Sequence, residues 1–358
     1  MGGSGAVRPM RAYIGSFTSA GGDGITTAAV DPGSGALTPL HSAGAVPDPS
    51  FLAVAPGGDV LYAVSETESG AVAAFGLTRD AERRPVPRDT APVRGRGPTH
   101  LAVADGHLLV ANYGSGSVTT LPLRADGTFD RGGHVLRHEG EGPHPERQGA
   151  PHAHAVLPDP TGRWVLSVDL GTDSVRICVL DPAAGALALH HEVHLAPGSG
   201  PRHLAFHPRG DRAYVINELT PTLTTCRWDG DAGELVPVTE TAVLTETAVL
   251  PEAEGEATHP SEVVIAPDGR FAWTANRGHD SITVLALDPA GDRPHRVGQV
   301  PCGGRWPRHL TLDPAGGRLY AANERSGDVT WFDVDPVTGM PLRAGSVPAP
   351  AASCVVFC

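Results

Sequence analysis

Arginine, histidine and acidic side chains recur at two matching places along this chain of 358 residues. The first place follows a proline: Arg202-His203 after Pro201, Arg308-His309 after Pro307, His100 after Pro98, Glu262 after Pro260, and His152 and His154 after Pro151. The second comes a short way downstream: Asn217-Glu218, Asn323-Glu324, Asn276-Arg277, Asn112, Asp169 and Glu66. Guanidinium groups recognise carboxylate or phosphate through paired hydrogen bonds. An imidazole such as His154, or the carboxylate of Glu218, can act as a general base on water, and Arg202 can stabilise an oxyanion. His100, His152, His203, Asn217, Arg308 and Glu324 are the further candidates for touching a substrate. Nothing points to a covalent nucleophile, because the chain has no G-x-S-x-G and its cysteines fall in strand-like stretches. Its glycine-rich stretches match neither a P-loop nor a dinucleotide fingerprint and read as turns.

These residues can cooperate only if the fold gathers them, and the sequence supplies the means. Each pair belongs to a unit of the form proline, two polar residues, alternating apolar strand, Pro/Asp-Gly turn, second strand, Asn/Glu. Six copies start at residues 49, 98, 151, 201, 260 and 307, with steps of 49, 53, 50, 59 and 47 residues. A period near fifty built from short strands predicts a propeller with one four-stranded blade per repeat. Third strands such as 70–75, 116–121, 173–178, 280–285 and 327–332 recur as well, and a seventh lies at 24–31 with no proline-led strand before it. Residues 353–357 supply the missing partner. The expected fold is therefore all-β, a seven-bladed β-propeller closed by pairing of the N- and C-terminal strands in one blade. Residues 1–10 read as a flexible tail and 11–358 as a single domain. In an antiparallel hairpin the start of one strand lies beside the end of the next, so both candidate sets should converge on one mouth of the central channel.

Composition narrows the function. With 27 basic and 40 acidic residues the formal charge is −13, which argues against nucleic acid and anionic membranes. No apolar run approaches the roughly 18 residues that a membrane span needs, and the N-terminus has no apolar signal segment. Five cysteines without CxxC spacing suggest reduced thiols, no structural zinc and a cytoplasmic protein. An arginine- and histidine-bearing mouth on an acidic protein favours a small anionic ligand.

Three features fall outside the repeat. The hexapeptide Thr-Glu-Thr-Ala-Val-Leu at 239–244 is duplicated at 245–250 and reads as an exposed, silent loop. Residues 138–154 hold four histidines (His138, His144, His152, His154) in a Pro/Gly-rich loop without the spacing of a metal site. His41 and His207, beside turns, are expected to be surface or turn residues.

At Tyr13-Ile-Gly-Ser16, Gly200-Pro-Arg-His203, Val215-Ile-Asn-Glu218, Asn276-Arg277 and Trp306-Pro-Arg-His309 the chain resembles the propeller-type lactonase family. Its members include a bacterial 6-phosphogluconolactonase and a fungal 3-carboxy-cis,cis-muconate lactonising enzyme. The resemblance implies catalytic roles for His154 (or His152, two residues earlier), Arg202, Glu218 and Arg277. It also implies an anion contact at Arg308 and no obligatory metal or organic cofactor. The expected activity is hydrolysis of an anionic sugar lactone, 6-phosphogluconolactone above others, by a monomer or weak homo-oligomer. A lactonising cycloisomerase and a non-catalytic binding platform are the rival readings. A six-bladed calcium-dependent lactonase is disfavoured by the repeat number and the arginines.

Overall fold

The computed structural model describes residues 9–130, 132–244 and 257–358. Seven four-stranded antiparallel sheets are arranged as blades around a channel. The first strand of each repeat is innermost: Leu52–Val54, Pro98–Ala104, Ala153–Pro158, Pro201–Phe206, His259–Ile265, Pro307–Leu312 and Ala352–Phe357. Each of these touches the innermost strand of the blades on either side, which makes the ring.

The terminal strand Ala352–Phe357 pairs with Arg11–Ser16, as the sequence predicts, with Ala12 opposite Phe357 and Gly15 opposite Cys354. Reciprocal bonds between Arg11 N and Cys358 O at 2.8 Å and Cys358 N and Arg11 O at 2.9 Å fasten the seam. The seam covers the edge that an unpaired Arg11–Ser16 strand would expose. The supposed N-terminal tail falls largely outside the described residues.

Apolar content sets the order of the strands within a blade. Second strands such as Val60–Ser65 and His107–Asn112 are buried at every position. Outer strands such as Glu234–Ala242 are mostly exposed on one face. The core is divided among the interfaces between blades. One cluster joins Trp164, Leu166 and Ile177 to Val215, Cys226 and Trp228 of the next blade, so truncating an aromatic such as Trp273, which is 1% exposed, would cost about 3–5 kcal/mol. All five cysteines are free, and four are buried.

Turns also lock blade to blade. His207 opens a turn, its carbonyl accepting from Gly210 N, but it is buried rather than at the surface, because its ring lies against Gly269 of the neighbouring Pro-Asp-Gly-Arg turn and meets the Gly269 carbonyl at 3.1 Å. Gly269 has a φ of +72°, and a Cβ there would lie 2.4 Å from the imidazole, so only glycine fits. The first copy of the duplicated hexapeptide is not a loop. Thr239–Ala242 ends the outer strand of its blade, and the second copy lies outside the described residues.

Candidate active site

A β-bulge at the head of the innermost strands creates the site. The register skips one residue between Pro98 and His100, Ala153 and Ala155, Pro201 and His203, Pro260 and Glu262, and Pro307 and His309. The skipped residues are Thr99, His154, Arg202, Ser261 and Arg308. A bulge puts two residues opposite one and re-aims a side chain, so a pair such as Arg202 and His203 both turn inward instead of alternating.

The register also decides between the two histidines of the Pro151-His-Ala-His154 run. Ala153, not Pro151, occupies the place of Pro201, since Ala153 faces Asp169 as Pro201 faces Asn217. His154 is thus the equivalent of Arg202 and Arg308. His152 stays on the rim, stacked on Tyr113 at 4.4 Å, with Nδ1 2.9 Å from the Tyr113 carbonyl.

The channel residues form tiers. Uppermost are those at the ends of the second strands: Glu66, Tyr113, Glu218, Arg277 and Glu324. The bulge residues lie beneath them. Deeper come Phe51, His100, His203, Glu262 and His309. A cavity of about 180 Å³ occupies the mouth, lined by Glu66, Thr99, Tyr113, Arg147, His154, Glu218, Arg277 and Arg308. A second cavity of about 340 Å³ runs deeper past Phe51, His100, His203, Glu262 and His309.

Glu218 is the electrostatic hub of the mouth. Its Oε2 lies 2.8 Å from Arg277 Nη2 and 3.1 Å from Arg202 Nε, and its Oε1 accepts from Arg147 Nη2 at 2.7 Å. Burial alone would raise this carboxyl, but the guanidinium groups of Arg277, Arg202 and Arg147 outweigh it and hold Glu218 far below the usual carboxylate range. These cations favour the anionic form of Glu218, which in turn holds them in place. Arg202 is sealed behind it. Only 3% of its side chain is exposed, Nη1 donates to the Ser261 carbonyl, and burial followed by repulsion from Arg277 lowers it to about 9.

Arg308 bridges Glu324 at 3.3 Å and Glu66 at 3.6 Å, and its guanidinium stands 4.8 Å from the centre of the Phe17 ring. Burial raises Glu66 against the pull of Arg308.

His154 is 5% exposed, and its Nδ1 is buried without a hydrogen-bond partner. Burial first, and then the charges of Arg202 and Arg308 together with His203, hold it well below the ordinary histidine range. Its imidazole is thus held in the neutral form and lines the mouth cavity, as a base acting on water requires.

His100 and His203 belong to the deeper tier, their rings 5.2 Å apart. Glu262 takes the His203 Nδ1 at 2.9 Å and lies 3.7 Å from His309 Nε2. The mouth thus brings together His154, Glu218, Arg277 and Arg308, with Arg202 directly behind them and Glu324 beside Arg308.

Asn217 is not brought to the mouth. Its amide donates to Thr222 and Thr224 at 2.9 Å each. Asn112 binds Ser117 and Thr119 in the same way, and Asn276 binds Ser281 and Thr283. These asparagines tie second strand to third inside the blade.

The sequence reading missed Arg147 and Trp306. Arg147 arrives on the irregular loop, and its one signal was being the only cation between His138 and His152. Trp306 takes the left-handed conformation, φ +64°, at a place held by Gly97 and Gly200 in other blades. Its indole lies 5.5 Å from the Arg277 guanidinium and 3.4 Å from that of Arg325. A bulky residue held in that region signals a local requirement, here an aromatic wall for Arg277.

Comparison with known proteins gives a consistent picture. The family model for the lactonases with a 7-bladed β-propeller matches residues 11–357. A 6-phosphogluconolactonase of Bacillus subtilis is 32% identical over 303 residues, 84% of each chain. Among solved structures, a putative 6-phosphogluconolactonase of Bacteroides fragilis superimposes with a TM-score of 0.90 at 28% identity over 100% of both chains. The periplasmic gluconolactonase of Pseudomonas aeruginosa superimposes with a TM-score of 0.87, also at 28% identity, over 97% of this chain and 98% of that one.

Proposed function

The chain belongs to the seven-bladed β-propeller lactonases, and from that premise we propose that it hydrolyses an anionic sugar lactone, 6-phosphogluconolactone to 6-phosphogluconate. One observation carries the reading: the buried His154, whose Nδ1 has no hydrogen-bond partner, lines the same cavity as Arg147 and Arg277, two of the guanidinium groups that Glu218 gathers.

His154 takes a proton from water as the oxygen attacks the lactone carbonyl, and the ring C–O bond breaks as the imidazolium returns the proton to the leaving oxygen. Negative charge grows on the carbonyl oxygen between the two events, and Arg277, at the cavity wall, answers it. Arg202 acts from behind as a positioning residue, since it is sealed behind Glu218 with only 3% of its side chain exposed. Glu218 keeps the cations fixed before the substrate arrives, so little reorganisation accompanies the reaction.

Exposed large apolar residues such as Leu40, Val86, Val236 and Val297 sit on outer strands of different blades. That spread favours a small-molecule site over a docking platform. The free cysteines support a reducing compartment, and among the described residues no helix is long and apolar enough to cross a membrane.

The decisive assay follows loss of freshly made 6-phosphogluconolactone against its spontaneous hydrolysis. Acceleration by the protein, abolished by His154→Ala, is expected. No acceleration at micromolar enzyme would overturn the reading.

A further inference from the structure

We propose that Arg147 forms a phosphate subsite at the rim of the mouth, selecting lactones that carry a phosphate at the end remote from the reacting carbonyl. This rests on the lactone-hydrolysis reading above and deepens it.

The argument begins with depth. The carbonyl must reach His154, which is 5% exposed and lies below the uppermost tier. An uncharged lactone group can enter there at modest cost, whereas a phosphate dianion loses far more hydration in a buried site. With the carbonyl inward, the other end of the sugar points to the rim, and Arg147 is the most exposed of the cavity-lining arginines, at 33% of its side chain against 17% for Arg308 and 7% for Arg277.

Vacancy of donors points the same way. Arg202 is sealed below the rim, its Nε in ion-pair range of Glu218 at 3.1 Å and its Nη1 donating to the Ser261 carbonyl. Arg277 spends Nε on the His259 carbonyl at 3.0 Å and Nη2 on Glu218. Arg308 already faces two carboxylates, Glu66 and Glu324. Arg147 uses Nη2 alone, toward Glu218 and the Tyr113 hydroxyl at 3.2 Å. Its Nε and Nη1 make no bond to any described residue. Each of these free N–H groups can donate a charge-assisted hydrogen bond to a phosphate oxygen.

The loop that carries Arg147 is pinned. His138 Nδ1 lies 2.6 Å from Asp169 Oδ2, and Asp169 Oδ1 accepts the His152 N–H at 2.8 Å. Between these anchors Gln148, adjacent to Arg147 and fully buried, donates to the Leu170 carbonyl at 2.8 Å and to Asp173 at 2.7 Å. Its own oxygen accepts from His144 N at 3.0 Å. The guanidinium is therefore presented by a held backbone, so binding need not order the loop.

The test compares two substrates and two products. kcat/KM is measured for 6-phosphogluconolactone and for glucono-1,5-lactone with wild type, Arg147→Gln and Arg147→Lys. The preference for the phosphorylated lactone should fall roughly 10- to 100-fold in Arg147→Gln, as expected for losing charge-assisted bonds. The loss should appear chiefly in KM of the phosphorylated substrate, and Arg147→Lys should recover part of it. An unchanged preference overturns the proposal. Calorimetric titration with 6-phosphogluconate and gluconate gives an independent readout: Arg147→Gln should lose the tighter binding of the phosphorylated acid, and keeping it overturns the subsite. A wild-type protein that does not outpace spontaneous hydrolysis defeats the lactonase reading instead, and the titration still decides Arg147. Equal binding of the two acids by wild type defeats the subsite alone.

Discussion

Glu218 and Arg277 meet at 2.8 Å across the join between neighbouring blades, and the same carboxylate oxygen also holds Arg202. Removing its charge strands three guanidinium groups together. Breaking a buried ion pair from one side costs about 3–5 kcal/mol. Glu218→Gln should therefore lower the urea midpoint markedly and cut kcat/KM about 100-fold or more. A variant with wild-type stability and turnover would show that the hub is ornamental.

The bulge register places His154 in line with Arg202 and leaves His152 on the rim, and the proposed mechanism makes His154 the base. His154→Ala should lose about 100- to 10,000-fold in kcat, the range typical of removing a general base. His152→Ala should change kcat no more than a few-fold, since its imidazole rests on Tyr113 outside the cavity lining. Reversed outcomes would move the chemistry to the rim.

Acid should weaken both activity and fold. Burial, aided by neighbouring cationic and imidazole groups, keeps His100, His154 and His203 neutral well below the ordinary histidine range, and burial lowers His309 to about 4. In the unfolded chain all four take up protons near pH 6.5. Below that pH the unfolded state binds more protons than the folded one, so stability falls as pH drops, by roughly 1 kcal/mol per pH unit for each imidazole. Glu66 and Glu262, raised chiefly by burial, act in the opposite sense and only near the carboxylate range. Urea unfolding at pH 7 and 5.5 measures the slope, and His203→Gln should reduce it. The acid limb of kcat/KM should correspondingly lie below pH 6.5. A limb at or above that value would mean that His154 is not held neutral as described.

Trp306 trades backbone ease for an aromatic contact with Arg277. Trp306→Gly restores the residue type that other blades use at this turn, so the fold should persist with a melting temperature near that of wild type. Activity should drop several-fold through a looser Arg277. Equal activity in the glycine variant would reduce the indole to a surface feature.

How far the sequence could be read depended on whether a residue belongs to the repeat. Blades, closure and the convergence of Arg202, Glu218, Arg277 and Arg308 were legible because prolines and apolar alternation recur in phase. The same phase could have settled His152 against His154. Ala155-Val156-Leu157 aligns with His203-Leu204-Ala205, but anchoring the repeat on Pro151 shifted it by two residues. Asn217 was misjudged for the opposite reason. Its amide appears in four blades as Asn112, Asn217, Asn276 and Asn323, and uniformity around a ring signals a shared scaffold duty, whereas chemistry concentrates where the blades differ. Arg147 was beyond the reach of any repeat, since only the anchoring of an irregular loop by Asp169 and Asp173 brings it over the mouth.

The extra residue at the head of five inner strands has an effect on what changes the molecule can tolerate. Exchanging Arg202 for another side chain alters one tier of the channel and leaves the frame intact. Deleting it would straighten the strand and force the residues before it to swap faces, or drag Leu204 and its neighbours out of register. Variation in this scaffold should thus proceed by replacement at those points and almost never by loss, with length changes confined to stretches such as the one that bears Arg147.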